Sequence, residues 1–334
     1  MSYRSNNELT QYNDIVEFLY FISSGICKQY DFQITIESSN KGGFNAGVSK
    51  LKEKQYIVII YSDCFNLNNI IEKITCRYTK DDLNFFWRLK NLNIFENQEE
   101  DNYRDELNNL ISTIILLHVF FHECGHIIAG HVEGLVQEYI EYDSLKSGNF
   151  IIQEHEIVAD WLSTKYLYQL MYYTVVKGKK LKLDELLSVF TQITVLCWLS
   201  LTIEFQIFDS IHNVSVKDCI NSTHPHPAVR LYSNLDAMRE SMADILLVQY
   251  DVTAEEAEDY MNQIINEFYI IITSFLQITD TPIDVEKNKA EVIDYYIRLR
   301  ETPYNNGKMN DKYFHLAELS KEYKDACEKY KKYL

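Results

Sequence analysis

The run Tyr103 to Val132, YRDELNNLISTIILLHVFFHECGHIIAGHV, decides how this chain is read. Leu107, Leu110, Ile111, Ile114, Ile115 and Leu117 lead at helical spacing into His122-Glu123-Cys124-Gly125-His126, and Ile127 and Ile128 follow. On a helix, His122 and His126 project from one face about one turn apart. That suits two nitrogen donors of a tetrahedral zinc ion, whose Zn–N bonds are about 2.0–2.1 Å. Glu123 sits to the side, where it can reach a water at the ion without taking a coordination position. From the chain's His and Glu content, the pattern is expected by chance only about 0.02 times. An apolar helix must also find partners for the polar heads it buries, and one ion serves both imidazoles.

A third ligand has to come from elsewhere. Downstream lies Gln153-Glu154-His155-Glu156-Ile157-Val158-Ala159-Asp160-Trp161. Glu156 and Asp160 share a helix face, and a carboxylate from Glu156 would complete a His₂Glu site with one position open. Glu154 is the rival for that role. Asp160 could accept the free ring N–H of a ligand histidine, fixing its tautomer. Further on, Ser222-Thr223-His224-Pro225-His226-Pro227-Ala228-Val229-Arg230 reads as a loop stiffened by two prolines and running into a helix. A histidine there, His224 or His226, could donate to the oxyanion of a tetrahedral intermediate, with Arg230 bracing the site or binding substrate. His118 and His131 could neighbour the metal but are not required. Cys124 points to another helix face and reads as core, as do Trp87, Trp161 and Trp198.

Outward from these segments, residues 8–30 form an amphipathic helix. Alternation at Phe32, Ile34 and Ile36 marks a strand, 39–43 a turn, Phe44–Val48 a return strand, and Tyr56–Tyr61 a further strand. The rest is helical: 66–77, 81–94, 103–132, 152–174, 183–206, 227–248, 253–277, 286–300 and 311–332. Thr253 and Glu256 are spaced as a capping box. The expected class is α+β, predominantly helical, with a small sheet at about 31–62, catalytic helices over 103–174 and a His-Pro loop at 221–227. The expected division is a catalytic domain over 1–235 followed by a helical region over 236–334.

The chain has 334 residues, with 49 acidic against 32 basic and a net charge of −17, which disfavours a nucleic-acid partner. Seven scattered cysteines without a Cys-x-x-Cys pair fit free thiols, and the N-terminus shows no signal-peptide pattern, so a cytoplasmic location is expected. Leu186–Phe205 is long enough to span a membrane, but its Gln192, Glu204 and hydroxyl residues favour a buried core helix.

Taken together, HECGHIIAGH, the ExxAD of EIVAD and THPHPAVR resemble, in order, the signature segments of gluzincin zinc peptidases related to HtpX and the CAAX prenyl protease, in particular the soluble minigluzincin type. The resemblance covers roughly residues 40–235. It implies one zinc ion held by His122, His126 and Glu156, Glu123 as general base, Asp160 behind a ligand, and His224 and Arg230 beside the site. Phe44-Asn45-Ala46-Gly47 resembles the family's substrate-binding edge strand, which brings in Asn45. The implied function is hydrolysis of peptide bonds in a protein substrate; because free proteolysis in the cytoplasm is toxic, residues 236–334 or a regulatory protein bound to them are expected to gate the cleft. A cytoplasmic helical zincin is also similar to the Lit-type phage-exclusion peptidases, which act on a host translation factor. The contrasting reading is a non-catalytic module in which zinc is structural.

Overall fold

The computed structural model describes residues 6–40, 43–75, 103–132, 148–176, 180–209, 216, 219, 222–279 and 289–300. The helices expected at 81–94 and 311–332 lie outside them. In chain order the elements are α1 (Asn6–Tyr30), β1 (Gln33–Ser39), β2 (Ala46–Lys52), β3 (Gln55–Tyr61), a 3₁₀ turn (Ser62–Phe65), α2 (Asn68–Thr75), α3 (Tyr103–Ile128), α4 (Gly148–Val176), α5 (Leu183–Asp209), α6 (Pro227–Tyr250), α7 (Ala254–Thr279) and α8 (Lys289–Arg300). The protein is α-rich with one three-stranded sheet near its N-terminus.

The sheet order is β1-β3-β2, with β3 parallel to β1 and antiparallel to β2. The return strand therefore pairs with β3 and not with β1. The reason lies in β3, QYIVIIY: Tyr56, Val58 and Ile60 are buried, so this strand takes the centre with a neighbour on each side. The β2–β3 hairpin turns through Lys54 at φ 55°, and its register breaks between Lys50 and Lys52. The outer edge of β1 is covered by α1: the Tyr20 hydroxyl donates to Ile36 O and accepts from Ile36 N, both at 3.0 Å. β2 forms the other edge.

Helix α3 lies at the centre of the molecule, against α4, α5, α2 and the β2–β3 side of the sheet. Ile111, Ile114, Ile115, Phe120 and Phe121 are fully buried on it, so the helix is apolar nearly all round where it carries the HECGH residues. Gly125 sets its approach to α4. A Cβ built at Gly125 would lie 2.9 Å from both Cα and the carbonyl oxygen of Ala159, so only glycine permits this crossing.

Two helices, Arg104–Ile128 and Leu183–Ile207, are long and apolar enough to cross a membrane, and each has 83% of its apolar window buried inside the protein. In α5 the polar residues that interrupt the apolar run are absorbed locally. Thr191, Ser200 and Thr202 donate to the carbonyls of Leu187, Leu196 and Trp198, one turn back.

A domain edge at residue 236 does not match the helix boundaries, because α6 runs unbroken from Pro227 to Tyr250. Leu231, Ala237, Met238, Met242 and Leu246 are buried on both sides of that position, so cutting there would open one continuous packed face. Beyond α6, the capping box forms as its spacing requires: Glu256 N donates to Thr253 Oγ1 at 3.2 Å and Thr253 N to Glu256 Oε2 at 2.8 Å.

The Gly125 crossing yields a stability prediction. Gly125→Ala should cost about 1–3 kcal/mol through overpacking against backbone. Gly47→Ala, whose added Cβ meets nothing within 4 Å, should stay within about 0.5 kcal/mol of wild type. Thermal unfolding of the two variants checks the contrast.

Candidate metal centre

His122 and His126 stand on the last two turns of α3, and the Gly125–Ala159 contact brings α4 close enough to present Glu156 to both. The Nε2 atoms of the two histidines are 3.1 Å apart. Glu156 Oε2 lies 3.3 Å from His122 Nε2, and Glu156 Oε1 lies 3.5 Å from His126 Nε2. Tetrahedral ligands at about 2.05 Å from a common ion stand about 3.3–3.4 Å from one another, so the spacing fits a small divalent cation. Among the described residues this is the one cluster of three His, Cys, Asp or Glu side chains close enough to hold a metal ion. Glu154, the rival carboxylate, is buried outside this group.

Asp160 lies one turn beyond Glu156 and takes the other side of the His122 ring, its Oδ1 2.8 Å from His122 Nδ1. With the Nδ1 hydrogen committed to Asp160, Nε2 is left facing the cluster. Arg230, arriving on α6, clamps Asp160 with both arms: Nε to Oδ2 and a terminal nitrogen to Oδ1, each at 2.7 Å. Its guanidinium also lies over the Phe205 ring, 4.5 Å from the centroid. Of the two roles expected for Arg230, bracing is the one its contacts display.

Burial alone would raise the Asp160 pKa, but the charge and hydrogen bonds of Arg230 and the contact with His122 hold it far below the usual carboxylate range. Glu156 is likewise depressed, since its contacts with His122 and His126 outweigh its burial. Burial would lower the His122 pKa, yet the two carboxylates reverse this and raise it to about 10. Burial lowers His126 to about 3, helped by the neighbouring His122 charge. Glu123 is buried beside the cluster without joining it, and burial pushes its carboxyl up to about 7.

The cleft above these groups has a volume of about 1300 Å³. Its walls are Gly43–Val48 with the start of β2 on one side, and the 222–227 loop with α5 on the other. Asn45 stands at this wall, with its own side chain folded back onto Ala46 N at 2.9 Å. The two loop histidines divide in role. His226 caps α6, its Nδ1 accepting from Ala228 N at 3.1 Å with Pro227 in the first turn. His224 stays at the rim, Nε2 3.7 Å from Glu156 Oε2 and Nδ1 3.0 Å from the Thr223 hydroxyl oxygen.

Two nearby histidines acquire definite places. His131 meets His126, Nδ1 to Nδ1 at 2.9 Å, and stacks on His155 with centroids 3.8 Å apart. Burial lowers the pKa of both, to about 4 for His155, so the stack is between neutral rings. His118 pairs with Glu204 of α5 at 3.0 Å, one turn before His122. Cys124 is buried, and its thiol is pushed well above its ordinary pKa. Neither the His126–His131 contact nor the His118–Glu204 pair was assigned from sequence. For His131 the signal was a second histidine just past the helix end, within reach if the chain turns there; it does so through Gly130 at φ 77°.

Two measurements follow from this charge arrangement. At neutral pH a proton sits on His122 while His126 is neutral and Glu156 ionised, so an entering metal ion must displace one proton. Apparent metal affinity should therefore rise about tenfold per pH unit between about pH 6 and pH 8, with about one proton released per ion in calorimetry. Asp160→Asn should weaken metal binding by about 10–100-fold, read by competition against a chromophoric chelator. Compared with known proteins, the chain matches no family model, no curated protein and no solved structure.

Proposed function

We propose that this chain is a zinc-dependent metallopeptidase of the gluzincin kind, acting on an extended segment of a protein substrate. The observation that carries the reading is Glu123: a buried carboxylate facing the same cleft as the His122–His126–Glu156 donor set, yet outside it. A purely structural site has no use for a further acid in that place. Zinc, when bound there, supplies Lewis-acid polarisation of a water and a carbonyl.

The chain's own residues supply the rest. Glu123, with its carboxyl near neutrality, accepts a proton from the attacking water and returns it to the leaving amine. Asp160 and Arg230 keep the His122 ring turned with Nε2 toward the cluster. His224 presents its ring at the open rim beside Glu156, placed to donate to an oxyanion as a peptide carbonyl becomes tetrahedral. β2 is an edge strand whose first residues line the cleft, so an extended peptide can add to it through main-chain hydrogen bonds.

Free Cys27, Cys64, Cys124 and Cys197 support a reducing, cytoplasmic setting for this activity. The partners in this reading are a protein substrate and a regulatory protein, with no nucleic acid.

Glu123→Gln should keep one zinc per chain while lowering peptide hydrolysis by about 10²–10⁴-fold. Undiminished hydrolysis by the zinc-loaded variant would remove Glu123 from the chemistry. The substrate is sought by N-terminal proteomics of cells expressing wild type against Glu123→Gln.

A further inference from the structure

Three residues before Glu156, α4 carries a side chain that has no part in the metal cluster and is fully buried: Gln153. Its Nε2 donates to two carbonyls of the segment that enters the His-Pro loop, Cys219 O at 2.7 Å and Ser222 O at 2.6 Å. Its Oε1 accepts from the hydroxyl of Tyr295 on α8. One amide thus joins three groups, 66, 69 and 142 residues away in sequence.

We infer that Gln153 is a positioning residue for the His224 loop, locked in orientation by Tyr295, so that helix α8 helps set the geometry of the candidate active site. The loop is held at both ends. On the far side, His226 caps α6 and Pro227 occupies its first turn. On the near side, Ser222 N donates to Cys219 O at 2.9 Å, and the Gln153 amide grips both residues of that turn. His224 lies between the anchors, its N–H 3.3 Å from Ser222 Oγ, so a shift of Ser222 is passed directly to it.

The chemistry requires an amide at 153. Both NH₂ hydrogens face carbonyl oxygens, and the remaining oxygen meets an O–H donor, so a flipped amide would set oxygen against oxygen. A carboxylate would do the same. Buried with every capacity used, the group resists rearrangement. Tyr295 is in turn held by the docking of its own helix: the next residue, Tyr296, donates to Asp236 Oδ2 at 2.8 Å and packs its ring on Tyr232 at 5.2 Å.

That the loop matters for catalysis rests on the peptidase reading; that Gln153 and Tyr295 order the loop does not. The test uses the zinc-loaded full chain in two arms. Hydrogen exchange of the peptide spanning 219–226 should quicken by about tenfold in Gln153→Ala and Gln153→Glu, and by about threefold in the milder Tyr295→Phe, with exchange in α3 unchanged. Unchanged exchange of 219–226 in Tyr295→Phe and in the Gln153 variants would overturn the clamp, whatever the enzyme does.

The second arm is kinetic. Tyr295→Phe should lower kcat with KM nearly constant and zinc content intact. Gln153→Ala added to His224→Ala should cost no more than His224→Ala alone. Fully additive losses would overturn positioning through His224. Absence of hydrolysis by wild type would count against the peptidase reading and leave the exchange arm to decide the clamp.

Discussion

Asp160 is an ionised carboxylate with no exposure to solvent, and the architecture around the cleft is arranged to make that tolerable. An unpaired buried charge costs several kcal/mol. Here the two Arg230 hydrogen bonds and the His122 contact surround it, drawing α6, α4 and α3 to one point. Glu156, one turn away on α4, is a second carboxylate held largely out of solvent, and Arg230 cannot clamp both. Its compensation comes from the imidazoles opposite it, or from a cation those imidazoles share with it. The drive to pair these charges and the capacity to hold a metal are therefore the same physical fact.

Steric fit decides whether the carboxylates can reach the histidines. Gly125, inside the HECGH run, and Ala159, inside EIVAD, touch at the helix crossing. The motifs thus carry two kinds of information in alternating positions: chemistry at 122, 123, 126, 156 and 160, and closeness of approach at 125 and 159. Below the crossing, the almost wholly apolar surface of α3 fixes the histidines against large buried side chains such as Phe120, Phe121 and Tyr166.

Much of this was legible in the sequence because helical periodicity is local. The spans of α1 to α8 follow from apolar spacing and from caps such as Thr253, and the i, i+4 pairs at 122/126 and 156/160 follow from helix geometry alone. Apart from the meeting of Glu156 and Asp160 with the histidines, which the motifs implied, non-local pairings were not legible. Neighbouring strands read as a simple return, whereas burial on β3 places it between the other two. Residue 236, where the helical region was expected to begin, falls inside α6, because a helix with one continuous buried face offers no local mark at which to divide it. Gln153 was invisible for a related reason: an amide announces nothing until the three groups it joins have been folded around it.

The hydroxyl of Tyr20, bonded to both main-chain groups of Ile36, bears on self-association. A small sheet ordinarily exposes two edges as templates on which stray strands can grow. Here α1 stoppers one template with a single phenol. The other runs along the cleft, where an incoming chain meets the acidic and imidazole groups of the site before it can extend into a shared sheet. In the peptidase reading, docking of a strand would thus be channelled to the place where it can be cut, and polymerisation traded for turnover.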